Sequence, residues 1–578
     1  MNIIFEKLGY DYIISKLSLF VMYFIVIMFT FPLESVFLPK LYGLLFERIK
    51  NTKEMPSVFN FVNNVKQMNI PGVMTIITFA WFIITSSHSI KHRLESMLSP
   101  HYLGFIRNTL FTAIIKQGST DYKDIKVGDM ITRILDSSRY LKQIGQWFIS
   151  HFLPEIIGLL SIVVYTFFID IKIGIILSIG ILNTIISSYY GGNHIIKLSS
   201  AREKTFYHLS EKLNDSFTNM MNIFLNNEDE NESSSNKDMN DNHSDVMTEQ
   251  MLTECNVVLF MQAVSIIVYS FALFTTYNLF KNKNIKIAGF ISTILILGNY
   301  LSFMLSINHK TIAYFCSTYG NVHCSKDFLQ KVLRETNKKG KSDFITTGNI
   351  SFDNIDFKYG KNFIFKDFNI KIKGGQKTAI MGSSGSGKTT LMKMLVQIHR
   401  PNNGKITIDN VNILESDVAY LRENVTYVNQ RTLLFNKPVI DNILYGNHDI
   451  KKEQVEKLMK KYDLNSVYSK LNEGIKTSAG VNGNNLSLGM QKVTILLRGI
   501  LKKGKIIIFD EPLAGLDGTT RGKVMKMINE ECRNKTTIVI THDKEILPYM
   551  DTIINLNKYV INLYPIISYR SHLLHEFC

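Results

Sequence analysis

Six apolar runs occupy the N-terminal half of this chain and leave it few ways to fold. "LSLFVMYFIVIMFTFPL" runs from Leu17 to Leu33, "VMTIITFAWFIIT" from Val73 to Thr85, and "FLPEIIGLLSIVVYTFFI" from Phe152 to Ile169. "IGIILSIGILNTIISSYY" follows from Ile173 to Tyr190, "VVLFMQAVSIIVYSFALFTTY" from Val257 to Tyr277, and "IAGFISTILILGNYLSFMLSI" from Ile287 to Ile307. A helix crossing a bilayer core needs about 20 apolar residues. Inside that core only helices or closed barrels pair every backbone polar group. The second run is short and taken alone would also suit a buried helix of a water-soluble fold. Together the runs imply six membrane helices and a multi-pass protein with both termini on one side.

The composition fits a chain split between greasy and charged halves. Of 578 residues, 46% are hydrophobic, and mean hydropathy is +0.05. Lys and Arg number 65 against 49 Asp and Glu, a net +16. Such a balance points to nucleic acid or to an anionic membrane surface. Basic loops beside anionic lipid account for it, so the lipid bilayer is the expected partner and nucleic acid is not. A tight turn at Asp170 to Lys172 joins the third and fourth runs. Long polar stretches, His88 to Ser150 and Gly191 to Asn256, separate the second run from the third and the fourth from the fifth. Both are expected to be intracellular loops on one face. The first carries Lys91, Arg93, Arg107, Lys116, Lys123, Lys126, Arg133, Arg139 and Lys142, which places it in the cytoplasm by the positive-inside rule. "KNKNIK" at Lys281 to Lys286 then faces the opposite side, and the position of the C-terminal half decides the matter more firmly than charge. "NNEDENESSSNKDMNDNHSD" (Asn226 to Asp245) is low-complexity and is expected to form a flexible insert. Cys255, Cys316, Cys324, Cys532 and Cys578 show no metal-site spacing and are expected as free thiols in a reducing compartment. The first apolar run is too long for a secretory signal and lacks a small-residue cleavage site.

Hydropathy falls after Ile307, and "RETNKKGKSD" (Arg334 to Asp343) has linker composition. From Thr347 onward β-runs alternate with helical segments, which implies an α/β domain. "TAIMGSSGSGKTT" places a β-run before Gly382, Ser383, Ser384, Gly385, Ser386, Gly387, Lys388, Thr389 and Thr390, the GxxxxGK[ST] spacing of a phosphate loop. Its glycines let backbone N–H groups turn inward around phosphate oxygens. Lys388 reaches the β- and γ-phosphates, Thr389 offers a hydroxyl to magnesium, and the following helix aims its positive end at the anion. "KIIIFDEP" supplies an acidic pair at the end of a buried strand. There Asp510 can bind magnesium through water, and Glu511 can orient and deprotonate an attacking water.

These residues resemble the ATP-binding cassette transporters, and the order of the parts resembles an exporter-type half-transporter. The resemblance covers nearly the whole chain and is strongest from Asn349 to about Leu556. It implies an α-helical six-span membrane domain followed by an α/β P-loop ATPase domain. Residues 1–325 would form the membrane domain, 326–346 a linker, 347–560 the cassette and 561–578 an atypical tail. "FKYG" offers Tyr359 as the ring that stacks on adenine, although a lone tyrosine there would more often be core. "YVNQ" gives Gln430, similar to the family's magnesium- and water-contacting glutamine; "AGLD" gives Asp517, similar to the D-loop aspartate; "TIVITHD" gives His542, similar to the histidine that holds the γ-phosphate. The stretches from Arg107 and from Leu209 resemble the two intracellular loops of exporters, with a short helix expected near "STDYKDIKVGD".

The departures from the family fall together. "LSLGMQK" resembles the LSGGQ signature, which caps ATP held by a partner chain through a serine hydroxyl and backbone N–H groups. Ser487 and Gly489 are kept; Leu488 replaces a glycine and Met490 replaces the glutamine. Gly489 is the position expected to need close backbone approach, and the Leu488 side chain is expected to be tolerated by pointing away. Such a signature is weakened rather than abolished. "TSAGVNGNNLS" has the spacing of the exporter TxVGExGxxLS segment, with Val481 where a glutamate is expected. The resemblance thus implies ATP-driven export of an unidentified substrate by a dimer, with ATP and Mg2+ as cofactors. The partner would be a second copy or another half-transporter. The alternative is a regulatory half that binds ATP and turns it over poorly; a soluble P-loop ATPase acting on nucleic acid is remote. Glu34, His88, Glu155, Asn183, Asn299 and Ser302 are candidates for a translocation path, because polar groups are costly in lipid. They would serve equally as hydrogen-bond partners between helices. "YVINLYPIISYRSHLLHEFC" is unlike the family's C-terminus, as a real variation or an altered reading frame.

Overall fold

The computed structural model describes residues 2–50, 70–118, 127–334, 340–430 and 432–558. It divides into two compact units, with the main boundary at 335/336. The "STDYKDIKVGD" segment lies almost wholly outside the described residues, as does the tail beyond 558.

Among its described residues the first unit is helical. Helix α1 (Leu17–Pro32) continues through a π turn, Leu33–Phe37, into α2 (Leu38–Lys50). Then come α3 (Ile70–Gly118), α4 (Val127–Trp147), α5 (Leu153–Ile169) and α6 (Ile171–Thr218). The unit closes with α7 (Met220–Asn226), α8 (Asp229–Lys281), α9 (Ile287–Ser306), α10 (Tyr314–Cys324) and α11 (Lys326–Leu333). Six segments are long and apolar enough to cross a membrane: Leu17–Lys50, Ile70–Lys116, Met130–Ile169, Ile171–Thr218, Asp229–Lys281 and Ile287–Cys324. The tight turn between the third and fourth has a local cause. Asp170 caps α6 by accepting a hydrogen bond from Lys172 N at 2.8 Å.

The polar stretches expected as loops are mostly helix. Helix α3 runs unbroken from its apolar segment to Gly118, and α6 to Thr218. The low-complexity segment, expected to be a flexible insert, is the N-terminal half of α8. Asn227, left-handed at φ 52°, ends α7, and Asp229, Glu230 and Glu232 occupy the first turn of α8, where they favour the helix dipole. This polar helix is held by hydrogen bonds to α6 rather than by a core. Lys212 Nζ lies 2.7 Å from Glu232, Ser216 donates to the same carboxylate at 2.9 Å, and Thr205 Oγ1 meets His243 Nδ1 at 2.7 Å. The apolar faces of α5, α6, α8 and α9 share one cluster around Ile162, Leu177, Ala272, Ile296 and Tyr300. Helix α10 approaches α6 so closely that a Cβ on Gly320 would lie 2.7 Å from Ile196 O. Helix α11, within the expected linker, buries Leu329, Val332 and Leu333 against Ile106 and Leu110 of α3.

The second unit is built on two sheets. Strands β1 (Ile350–Tyr359), β2 (Asn362–Ile372), β4 (Asn403–Ile408) and β5 (Val411–Asn412) form an antiparallel sheet in the order β2-β1-β4-β5. Strands β3 (Lys377–Met381), β6 (Val425–Val428), β7 (Ile506–Asp510), β8 (Thr536–Ile540) and β9 (Thr552–Asn555) form a parallel sheet in the order β6-β7-β8-β3-β9. Every residue of β7 and β8 is buried, as expected where helices or a second sheet cover both faces. Helix α12 (Lys388–Leu395) packs between the two sheets with Leu391, Met392 and Leu395 fully buried. Helices α13 (Val418–Asn424), α14 (Val439–Leu444), α15 (Lys452–Lys461), α16 (Leu488–Ile500) and α17 (Gly518–Glu531) complete the unit.

The entry to this unit is fixed by one carboxylate. Asp409, in the β4–β5 turn, accepts hydrogen bonds from the backbone N–H groups of Thr346, Thr347, Gly348 and Asn349 at 2.7–3.0 Å. Burial opposes its ionisation, but these donors and the Thr347 hydroxyl hold its carboxyl well below the usual aspartate range. A depressed folded-state pKa contributes stability above the unfolded value of about 4 and loses it as pH falls below. Asp409→Asn is expected to destabilise this unit by about 1–2 kcal/mol at neutral pH. The gap between the two melting curves should begin to narrow as pH drops below about 4 and close only below the depressed folded-state value, which thermal unfolding followed by circular dichroism would read.

Candidate nucleotide-binding site

A parallel sheet brings the carboxyl ends of its strands to one edge, and loops leaving that edge can face one ligand. Here β3 ends in the phosphate loop, β6 leads to Gln430, β7 ends at Asp510 and Glu511, and β8 leads to Thr541 and His542. Four sequence-distant segments therefore meet because of strand order alone.

The loop from Gly382 to Gly387 turns back on itself before α12. Gly385 and Gly387 adopt φ of +83° and +86°. A Cβ on Gly387 would also lie 2.5 Å from the Phe365 ring, so no other residue fits there. Lys388 is buried, and its Nζ donates to the carbonyls of Gly382 at 2.8 Å and Ser383 at 2.9 Å. Burial pulls its ammonium below the usual lysine value, while Glu511 and Asp510 pull the other way. Ser384 lies exposed at the tip of the loop, and Thr390 is half-buried in the first turn of α12.

Asp510 is the node of the site. Its Oδ2 accepts from Thr389 Oγ1 at 3.0 Å and from Tyr427 OH at 2.9 Å. Thus β7, α12 and β6 are tied at one oxygen. Burial, with the charge of Asp510, pushes the Tyr427 phenol above its ordinary pKa, so Tyr427 is a donor at any working pH. A hydroxyl and a carboxylate at this spacing suit a hard divalent cation such as Mg2+. Ser386 Oγ, buried in the loop without a hydrogen-bond partner, suits an incoming phosphate oxygen. Glu511 follows in a left-handed conformation at φ 50°. That turn swings its carboxylate toward β8, 3.8 Å from His542 Nε2 and 3.5 Å from Thr541 Oγ1. Gln430 is exposed two residues past β6, beside the end of β7.

The remaining candidates stand apart from this edge. Tyr359 closes β1 and is 48% exposed. Ser487 caps α16, its Oγ accepting from Met490 N at 3.3 Å. Leu488 and Met490 differ in placement. Leu488 is 75% exposed at the helix start, whereas Met490 is buried in the helical core. A Cβ on Gly489 would meet nothing closer than 3.8 Å, so nothing in this chain demands glycine there. Asp517 caps α17 through the Thr519 hydroxyl, Thr520 N and the Thr520 hydroxyl, which hold its carboxyl well below the usual range. Val481 is exposed in a turn between Gly480 and Gly483, both at positive φ.

Three contacts escaped the sequence reading: Tyr427 on Asp510, Thr541 beside Glu511, and Asn557. Asn557 Oδ1 accepts from Ser383 N at 2.8 Å and from its hydroxyl at 3.1 Å, bracing the phosphate loop from the end of β9. Four of the six candidate path groups pair between helices. Glu34 meets His88 at 2.9 Å, Ser306 donates to Glu155 at 2.5 Å, and Asn299 donates to Ser35 O at 3.2 Å. Asn183 is half-buried and Ser302 exposed. A cavity of about 1130 Å³ opens elsewhere in the first unit, lined by Lys142, Arg202, Gln250, Glu254, His309 and Lys310 among others.

The comparisons with known proteins agree with this geometry. The family described as "ABC transporter transmembrane region" matches residues 17–305, and that described as "ABC transporter" matches residues 365–514. The chain is 38% identical over 193 residues to "ABC transporter ATM1" of Plasmodium falciparum, a match covering 33% of this chain but 18% of that protein. It is 25% identical over 470 residues to a "Putative export ATP-binding/permease protein" of Rickettsia felis, covering 78% of this chain and 79% of that one. In fold it is similar to a bacterial Atm1-family ABC exporter solved with ATP bound, at a TM-score of 0.78 and 16% identity, covering 94% and 93% of the two chains. The chain therefore belongs to the ATP-binding cassette transporters, as a multi-pass membrane protein of the exporter type whose ATPase domain is cytosolic.

Proposed function

We propose that the chain works as a half-transporter, two halves closing around two ATP molecules to drive export. The observation that carries this reading is the pairing of Thr389 with Asp510 beside the Glu511–His542 contact, all at one sheet edge. A degenerate nucleotide-binding half would have no need to keep those four groups assembled. The phosphate loop holds the β- and γ-phosphates through backbone N–H groups and Lys388, which exchanges its two carbonyl partners for phosphate oxygens. Thr389 and Asp510 would hold Mg2+, which when bound neutralises charge on the transferring phosphoryl group. Glu511 orients a water in line with the γ-phosphorus and takes its proton as the P–O bond to the β-phosphate breaks. His542 and Gln430 contact the γ-phosphate side of the site. Ser487 and the first N–H groups of α16 would cap ATP bound by the opposite half, and Asp517 lies on that same interface. Tyr359 stacks on adenine.

Cargo enters through the cavity in the first unit. Lys142, Arg202 and Lys310 outnumber Glu254 on its wall, which supports a cargo bearing negative charge. Closure of the ATPase units moves the helices, and hydrolysis resets them. Whether the second half is another copy or a different half-transporter is left to experiment.

Two outcomes test this reading. In the purified, membrane-reconstituted protein, Glu511→Gln is expected to cut ATP hydrolysis by about 10²–10⁴-fold while ATP still binds. Absence of turnover in both forms would replace the self-sufficient homodimer with a pair that needs a different half carrying an intact signature. Leu488→Gly should raise turnover several-fold, because it removes an exposed side chain from the start of the capping helix. It should cost at most about 1 kcal/mol of stability. Turnover that falls or stays level would mean that α16 does not face nucleotide.

A further inference from the structure

Tyr359 is half-exposed at the end of a strand, and such a side chain would ordinarily sample several rotamers. Here it does not stand alone. Its hydroxyl lies 2.9 Å from His399 Nε2, and the two rings meet edge-on at 5.6 Å. Phe357, buried beneath them, contacts both: 5.0 Å to Tyr359, perpendicular, and 5.6 Å to His399, tilted. The three rings form a closed triangle with the outer face of Tyr359 left free.

His399 is itself held. It lies in the segment that follows α12, the helix of the phosphate loop. Its N–H donates to Lys393 O at 3.2 Å. The preceding Gln397 is left-handed at φ 54° and buried, and its amide donates to Ile413 O and to Ser416 Oγ. Arg422 clamps the same segment through Val396 O at 3.1 Å and Gln397 O at 3.3 Å. Just beyond, Asn402 is stitched to β1. Its N–H donates to Asp356 O at 2.7 Å, and its Oδ1 accepts from Lys358 N at 3.0 Å. The segment from Gln397 to Asn402 therefore bridges the phosphate-loop helix to the residues immediately before Tyr359. His399 is the side chain that carries the bridge to the ring.

We propose that His399 is a positioning residue for adenine, fixing the Tyr359 ring in its stacking orientation and tying it to the helix that binds the phosphates. It touches no nucleotide atom. Its effect is preorganisation: a ring already held loses less freedom when the base stacks on it. The inference rests on the reading of Tyr359 as the adenine platform. It adds a residue that neither the phosphate loop nor the tyrosine identifies by itself. It also makes a chemical distinction. A structural role for His399 would weaken binding of any phosphate ligand, whereas a positioning role weakens only ligands that carry a base.

The test uses the full-length protein in lipid nanodiscs without magnesium, so that binding is read without turnover. Affinities for ATP and for inorganic tripolyphosphate are measured by competition against a fluorescent nucleotide. His399→Phe keeps a ring in the triangle and removes the hydrogen bond; Tyr359→Phe removes it from the other side. Each is expected to weaken ATP about 3–10-fold, the range for losing one preorganised side chain, with tripolyphosphate unchanged. The double variant should lose no more than either single one. Tyr359→Ala should weaken ATP further still, again sparing tripolyphosphate. If Tyr359→Ala leaves ATP affinity unchanged, the adenine platform is elsewhere and the reading beneath the proposal fails. If Tyr359→Ala weakens ATP but His399→Phe does not, the platform stands and the role of His399 is overturned. Equal weakening of ATP and tripolyphosphate in His399→Phe would overturn it as well, by showing a merely structural contribution.

Discussion

One oxygen, Asp510 Oδ2, organises the ATPase unit. It accepts hydrogen bonds from Thr389 at the start of α12 and from Tyr427 on β6, while its own backbone belongs to β7. The phosphate loop, the acidic strand and the strand leading to Gln430 are thereby locked in register at the place where charge is handled. Hydrogen bonds to a carboxylate in a dry site are among the stronger ones, and this one is buried. A shift of any of the three elements would break the same contact. The three elements are thereby joined before ligand arrives, and groups held in place in this way can stabilise a transition state with little reorganisation. The neighbouring Glu511 departs from the strand through a left-handed residue, a strained conformation of the kind found at functional sites. Its carboxylate leaves the core and faces His542 instead.

The membrane unit obeys a different constraint. Lipid offers no hydrogen bonds, so the backbone must satisfy itself and polar side chains must find one another. The long helices do the first, and several side chains of the unit do the second. Lys91 is buried with Glu95 at 3.1 Å and donates to Ser150 O, and Tyr23 donates to Glu95 as well as to Ile149 O. Glu34 is matched with His88 in the same way. These pairs join α1, the π turn after it, α3 and the turn before α5, so they act as struts between helices. The cavity is lined by other residues, on α4, the turn before α5, α6, α8, α10 and the segment before it. Some of these also brace helices: Arg202 donates to Asn321 at 2.8 Å and Gln250 to Ser317 at 2.9 Å.

Much of this was legible in the sequence, and what was legible has a common physical cause. Apolar length reports a membrane span because about 20 residues must cross a fixed thickness. The phosphate loop is legible because positive φ at Gly385 and Gly387 admits little else. The strand Ile506 to Asp510 is legible because a strand covered on both faces is apolar throughout. Tertiary partners were not legible. Tyr427 lies 83 residues from Asp510, and Asn557 lies 174 from Ser383. Only the strand order, with β6 beside β7 and β9 beside β3, brings them together. The segment Asn226 to Asp245 misled for a related reason. Its composition lacks a core, but Glu232 and His243 bond to α6, and composition says nothing of a neighbour.

The altered signature looks different once its side chains are placed. In sequence Leu488 and Met490 are two equal departures. In the fold they are opposites. Met490 points into the helical core, beneath Tyr468, whose hydroxyl donates to Met490 O at 3.3 Å. An apolar residue there adds packing and removes nothing from the surface of this chain. Leu488 projects from the first turn of α16, next to the capping Ser487. A phosphate approaching that helix start meets the N–H groups and the serine unchanged, and meets one bulky apolar group beside them. The electrostatic attraction of the helix N-terminus survives, since it depends on backbone N–H groups rather than on the side chain. What changes is the distance of closest approach and the water shed on closing. On the proposed half-transporter reading, the substitution would bear on how tightly two halves close rather than on whether ATP is recognised.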